Sequence, residues 1–216
     1  MPDPSLSSLL DVVHHIEPVI RAHAADAKRE RRLSAPVAAA MRAAGLYRMW
    51  RPKALGGLEV DPITAFQILE EVARIDSAAG WNLQLSTAVD ALGAWVPDDG
   101  AAEIFGHPDA GFAGGFFPFR RAVAVDGGYR VTGQTPFASG AHEATWFDGL
   151  AHVYDGETQR LNKDEFAGDD YHDVSGGRCS HRRHLAHNGH ARHRQPRCGD
   201  ERRVCAVAPH GVACSL

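Results

Sequence analysis

Apolar positions in the first hundred residues recur at intervals of three and four, the period of helices packed on one face. Leu9, Val12, Val13, Ile16 and Ile20 mark such a face across residues 5–31, interrupted by Pro18 and closed by the charged run Lys28-Arg29-Glu30-Arg31-Arg32. Ser34-Ala35-Pro36 predicts a second helix start and Gly45 its stop, with Val37, Met41 and Ala44 between them. Tyr47 to Gly57 reads as a loop closed by two glycines. Asp61-Pro62 then opens a third helix, with Ile63, Phe66, Leu69, Val72 and Ala73 as its predicted inner face. Residues 77–95 read as a helix buried on more sides, with Pro97 beyond its end. Ala101 to Phe105 is a short helix before Gly106.

The period then changes. Phe112 to Phe117 is a short, aromatic, Gly-rich segment. Val123 and Val125 alternate with small residues, Asp126-Gly127-Gly128 turns the chain, and Tyr129 and Val131 resume the alternation. That pattern predicts a β-hairpin. Residues 145–147 and 150–154 propose two further strands. Helices followed by strands predict an α+β protein with segregated layers rather than a βαβ sheet. The expected boundaries are 1–106 for an all-α helical domain and 107–163 for the start of a β domain.

Composition separates the rest. All four cysteines, seven of the 13 His and nine Arg lie within residues 157–216, with only Phe166 and Tyr171 as aromatics. From Arg178 to His210 neither period holds, so residues 164–216 are expected to be a disordered tail. Over all 216 residues, 23 Lys+Arg against 27 Asp+Glu give a net charge of −4, which argues against a nucleic-acid binder. No apolar run approaches the roughly 20 residues of a membrane helix. Met1-Pro2-Asp3-Pro4-Ser5 lacks a signal-peptide pattern, so a cytoplasmic location is expected.

Several words, in order, resemble the acyl-CoA dehydrogenase superfamily of flavoproteins. Ala44-Gly45-Leu46-Tyr47, Pro52 and Leu55-Gly56-Gly57 are similar to its "G-L … P-x-x-x-G-G" entry. Residues Glu70 to Asp76 are similar to its "E-E-L-A-R-x-D" helix. Asp126 to Gly133 resembles the hairpin that enters its flavin site. The resemblance covers residues 10–163. It implies an N-terminal helical domain, a β-barrel-like middle domain and a C-terminal four-helix bundle, with FAD or FMN at their junction.

In such relatives the hairpin leads into a word of the type "G-x-K-x-W-I-T/S-N-G". The corresponding place here is Gly133-Gln134-Thr135-Pro136-Phe137-Ala138-Ser139-Gly140. The resemblance implies that Phe137 lies against the flavin ring, that Ser139 hydrogen-bonds near its N5/O4 edge, and that Gly140 lets the backbone approach. Phe116, Phe117 and Trp81 are further candidates to line the cofactor pocket. The bland alternatives are sheet core for the phenylalanines, a turn for Ser139 and a buried helix position for Trp81. His142 and Glu143 read more simply as loop residues, and Glu70 and Glu71 as a solvated helix face or an interface.

Two activities stay open. The leading one is oxidation at a CH–CH bond of an acyl-CoA-type substrate with flavin as acceptor. The alternative is a two-component flavin-dependent monooxygenase, which takes reduced flavin from a separate reductase and uses oxygen on an aromatic substrate. Residues 112–121 depart from the dehydrogenases' "F-x-x-T-E-P-x-A-G-S-D" strand, and the Ala79-Gly80-Trp81 and Pro136-to-Gly140 words look more like the hydroxylase branch. Intact relatives of either kind are expected to be homo-oligomers. A non-enzymatic helical interaction module with a metal-sticky basic tail is the third reading.

The tail has a second text. Back-translated and read one base later, residues 184–199 permit T-W-H-T-M-G-M-R-G-T-G-S-H-D-V, and residues through His210 permit E-M-N-D-V-F-V-P-L-H-R. That text looks like the missing part of the middle domain, so a one-nucleotide frameshift near Asp164–Ala167 is expected. The 216-residue product is then an inactive, truncated fragment, without the bundle that in dehydrogenase relatives carries the catalytic Glu; no residue here is assigned a catalytic role. His181, His184, His187, His190 and His193 recur every third residue beside Cys179 and Cys198, but this spacing fits no single helical face, and no metal site is expected.

Overall fold

The computed structural model describes residues 4–126, 128–160, 172–173, 204–208 and 211–215. Its contacts divide the chain into two compact units, Met1–Phe112 and Ala113–Leu216.

The first unit is helical. Helix α1 (Leu6–Glu30) is capped by Ser5, whose hydroxyl accepts from the Ser8 amide at 3.2 Å, and it runs on through Pro18. Leu9, Val13, Ile16 and Ile20 are buried along one stripe. At about 1.5–3 kcal/mol per fully buried aliphatic side chain, that stripe rather than intrinsic propensity holds α1 in place. Helix α2 (Ala35–Ala43) buries Val37, Ala38 and Met41. The segment expected as a loop contains two 3-10 turns, Leu46–Arg48 and Lys53–Leu55. Helices α3 (Pro62–Ile75) and α4 (Ser77–Asp90) are capped by Asp61 and Asp76, whose carboxylates accept from Thr64 and Ala79 at 3.0 and 2.8 Å. A 3-10 turn, Ala91–Ala94, and helix α5 (Asp98–Phe105) follow.

The buried face of α3 differs from the predicted one. Ala65, Ile68, Leu69, Val72 and Ile75 are inside, whereas Ile63 is 69% and Phe66 55% exposed. Val72 and Leu69 belong to both faces. The predicted stripe begins too early, because Ile63 and Phe66 occupy the first turns, where large apolar side chains stand out whether or not anything covers them. Phe66 meets the Trp50 ring edge-on at 5.4 Å.

Helix α4 buries a polar stripe that hydrophobic periodicity passes over: Asn82, Ser86 and Asp90 at four-residue spacing, with Thr87 beside them. Tyr47 Oη donates to Asn82 Oδ1 at 2.6 Å, and the Phe112 amide donates to Ser86 Oγ at 3.1 Å. Arg51, completely buried, donates to Asp90 Oδ1 at 3.0 Å and to the carbonyls of Phe105, His107 and Ala110 at 2.9, 3.0 and 3.0 Å. Burial pushes the Asp90 carboxyl up to about 7 against the opposing Arg51 charge. Gly57 is obligatory beside this pair, since a Cβ there would overlap the Arg51 backbone.

In the second unit, β1 (Phe112–Val125) is one long strand where the pattern proposes two shorter segments. It pairs antiparallel with β2 (Gly128–Thr132) in the register Val123↔Arg130 and Val125↔Gly128. Strand β3 (Trp146–Asp155) joins the two stretches proposed at 145–147 and 150–154, pairs with β1, and turns into β4 (Thr158–Gln159). Strand pairing also reaches β5 (His172–Asp173), β6 (Val204–Ala208) and β7 (Gly211–Ser215), elements the hydrophobic pattern does not propose. The periodic His/Cys run from Cys179 to Cys198, including His181, His184, His187, His190 and His193, lies outside the described residues, as does the expected frame junction at Asp164–Ala167.

Candidate functional site

The word read as cofactor-facing forms one turn after β2. Gly133 opens it at φ 149°, Phe137 sits in the left-handed region at φ 60°, and Gly140 lies at φ 82°. The Ser139 amide donates to the Phe137 carbonyl at 2.8 Å, Ala141 N to Ala138 O at 3.2 Å, and Glu143 N and Ala144 N both to Gly140 O at 3.0 Å. A small core of Ala113, Ala138, Ala141, Ala144 and Phe147 anchors the turn from below. The consequence is an outward ring: Phe137 is 71% exposed. A bulky residue held at positive φ with its ring in solvent is a sparsely populated state, which persists only where surrounding structure imposes it.

Beneath the turn lies a buried polar cluster. Arg120 Nε donates to Thr135 Oγ1 at 2.9 Å, and its Nη2 donates to the same hydroxyl, to Gly115 O at 3.2 Å and to Asp148 O at 3.3 Å. Thr135 and Asp148 are buried. Burial raises the Asp148 carboxyl, opposed by the Arg120 charge, and lowers the Arg120 guanidinium. Asp148 Oδ1 has no hydrogen-bond partner among the described residues. Three glycines clear space for the group. A Cβ on Gly114 would collide with Asp148, one on Gly149 with the Arg120 guanidinium, and one on Gly115 would stand 2.7 Å from the Thr135 methyl.

The structure thus gathers Phe137, Ser139 and Gly140 into one turn. Phe116 and Phe117, on β1 beside Gly115, are 57% and 64% exposed, which replaces the sheet-core alternative with surface positions. Being consecutive on a strand they alternate faces, and Phe117 shares its face with Phe119, whose ring is 4.9 Å away. Phe119 in turn meets His152 edge-on at 4.9 Å. Trp81, in the helical unit on α4, is 54% exposed rather than buried. Arg120, Thr135 and Asp148 were not singled out by the sequence reading. Their signal was the set of glycines flanking polar residues in strand context, Gly114-Gly115 and Asp148-Gly149, where glycine marks close approach.

An aromatic face open to solvent, a flanking serine and a glycine at positive φ fit a planar ring ligand that stacks and accepts a hydrogen bond. Residues 11–96 match the family described as acyl-CoA dehydrogenase, N-terminal domain. Residues 11–96 thus carry that family's N-terminal domain. The chain is similar to indole-3-acetate monooxygenase of Pseudomonas putida, 36% identical over 139 residues, which are 64% of this chain and 34% of the relative. It is also similar to the FADH(2)-dependent resorcinol hydroxylase, oxygenase component, of Rhizobium sp. (strain MTP-10005), 31% identical over 139 residues, again 64% of this chain and 34% of the relative. Among solved structures, XiaF from Streptomyces sp. in complex with FADH2 and glycerol superposes with a TM-score of 0.68 at 28% identity, covering 72% of this chain and 40% of that one. The chain spans about a third of the length of the curated relatives it matches. These relatives are flavin-dependent monooxygenases of the superfamily, so the comparisons favour the oxygen-using alternative over the acyl-CoA oxidation expected first. No helix among the described residues is long and apolar enough to cross a membrane.

Proposed function

We propose that the gene encodes the oxygenase component of a two-component flavin-dependent monooxygenase that hydroxylates a small aromatic substrate, with a separate reductase supplying reduced flavin. The observation that carries this reading is the exposed Phe137 ring in its left-handed turn, next to Ser139 and Gly140. The names of the relatives favour oxygenation over dehydrogenation. When bound, reduced flavin would supply the two electrons that split dioxygen, one oxygen atom entering the substrate and the other leaving as water. The chain's own contribution is to hold and shield the ring. Phe137 offers a stacking face, Ser139 a donor at the edge where negative charge resides on the reduced ring, and Gly140 room for the backbone. One of Phe116 and Phe117, which alternate faces of β1, is proposed to line the remainder, with FAD as the cofactor and FMN as the alternative.

The alternate reading frame belongs to the same proposal. In this reading the 216-residue product is inactive because the text after Lys163 is translated one nucleotide out of register, and the proposed domain limits are 1–106, 107–163 and 164–216. Sequencing across the Asp164 codon tests this directly: an extra or missing base is expected, and an unbroken frame lacking the hidden text contradicts it. For the activity, protein translated in the restored frame is assayed for oxygen uptake with reduced flavin and candidate phenols or indoles. Flavin bleaching by an acyl-CoA without oxygen consumption would return the dehydrogenase reading.

A further inference from the structure

Arg120 joins three segments that are distant in sequence. Its planar fork reaches Gly115 on β1, Thr135 in the turn and Asp148 on β3. One guanidinium can satisfy several acceptors in fixed directions, which no apolar side chain and no lysine reproduces. As mere sheet stabilisation it is a costly choice, because a half-buried cation carries a desolvation cost that well-packed apolar residues avoid. The space for it is nevertheless built in. Gly114 and Gly149 are positions where any Cβ would strike Asp148 or the Arg120 side chain itself. The bond that distinguishes the arrangement is the one to the Thr135 hydroxyl, two residues before Phe137. A residue held at positive φ without glycine needs its flanks fixed, and the bond from Arg120 to Thr135 ties the flank before Phe137 to the sheet.

We propose that Arg120 is a positioning residue for the cofactor-facing turn: by holding the Thr135 hydroxyl against β1 and β3, it keeps Phe137 in its left-handed conformation with the ring presented outward. The cofactor half of this statement rests on the flavin reading above; the clamp itself does not. Asp148 contributes through its backbone carbonyl, which accepts from Arg120. The structure thereby links strands and turn through Arg120, which holds Gly115, Asp148 and Thr135, and the backbone carries that restraint from Thr135 through Pro136 to Phe137.

The test is amide hydrogen exchange on the full chain, without ligand, comparing wild type with R120M, T135V and T135S. In R120M and T135V the amides of Ser139, Ala141, Glu143 and Ala144 are expected to exchange about tenfold faster, the loss of one charge-assisted hydrogen bond. Helical amides in residues 6–30 stay unchanged, and T135S restores protection because it keeps the hydroxyl. If R120M loosens the whole sheet, T135V decides, since it removes a single oxygen. Unchanged turn exchange in T135V, or equal loosening in T135S and T135V, overturns the clamp. A turn that loosens as expected in a protein whose restored-frame form takes up no reduced FMN or FAD counts against the flavin reading alone.

Discussion

Phe137 is held in a conformation that its own side chain disfavours. Left-handed backbone costs an L-residue roughly 1–2 kcal/mol, less for asparagine, whose short polar side chain tolerates it. With the ring 71% exposed, little burial is lost on replacing it. Phe137→Asn is therefore expected to raise stability by about 1 kcal/mol in a urea titration while removing the stacking face. Gly140→Ala runs the other way, since an alanine at φ 82° is strained whatever space surrounds it, and a loss of about 1 kcal/mol is expected. The candidate turn was legible through the resemblance of Gly133 to Gly140 to a family word, because Phe137, Ser139 and Gly140 fall within four consecutive positions. Arg120 and Asp148 were not legible because their meaning lies in contacts between residues 15 and 28 apart in sequence. A single chain offers no periodicity that links them.

Among the elements, the helices were placed well by caps and apolar spacing, and the errors lie in their faces. Ile63 and Phe66 read as core by type, yet burial is settled by what packs above them, and α3 turns Ala65 and Ile68 inward instead. The polar stripe of α4 was invisible to an apolar count, although it carries the tie between Arg51 and Asp90. Arg51→Met would leave the buried Asp90 carboxyl and three carbonyls without their donor, and a loss of about 3–5 kcal/mol is expected from chemical denaturation. Between α1 and α3, the Arg74 guanidinium, and after it the His14 ring, lower the Glu71 carboxyl from its ordinary 4.5 to about 2. A depressed folded-state pKa contributes stability that is present above the unfolded value and lost as pH falls. Glu71 thus adds to the loss of stability between about pH 4.5 and 2. Glu71→Gln is expected to flatten that acid limb in a pH series of unfolding midpoints, and an unaltered slope would show the carboxylate to be uninvolved.

For the molecule as a whole, the order of helical unit and β unit followed from the change of hydrophobic period near residue 112. The extent of β1 did not, because its Gly-rich aromatic start and its alternating end look like separate segments until β3 pairs alongside. Residues 112–121 depart from the dehydrogenase strand and the Phe137 word looks more like the hydroxylase branch, and similarity to a monooxygenase and to the oxygenase component of a hydroxylase weighs the same way. The central claim is that the Phe137 turn faces a reduced flavin. It is tested most directly by anaerobic titration of reduced FAD and FMN into protein translated in the restored frame, alongside its Phe137→Ala variant. Saturable binding of one flavin, weakened at least about tenfold by losing the ring, is the predicted result. Absence of binding at saturating flavin, or equal affinity in the alanine variant, would contradict it.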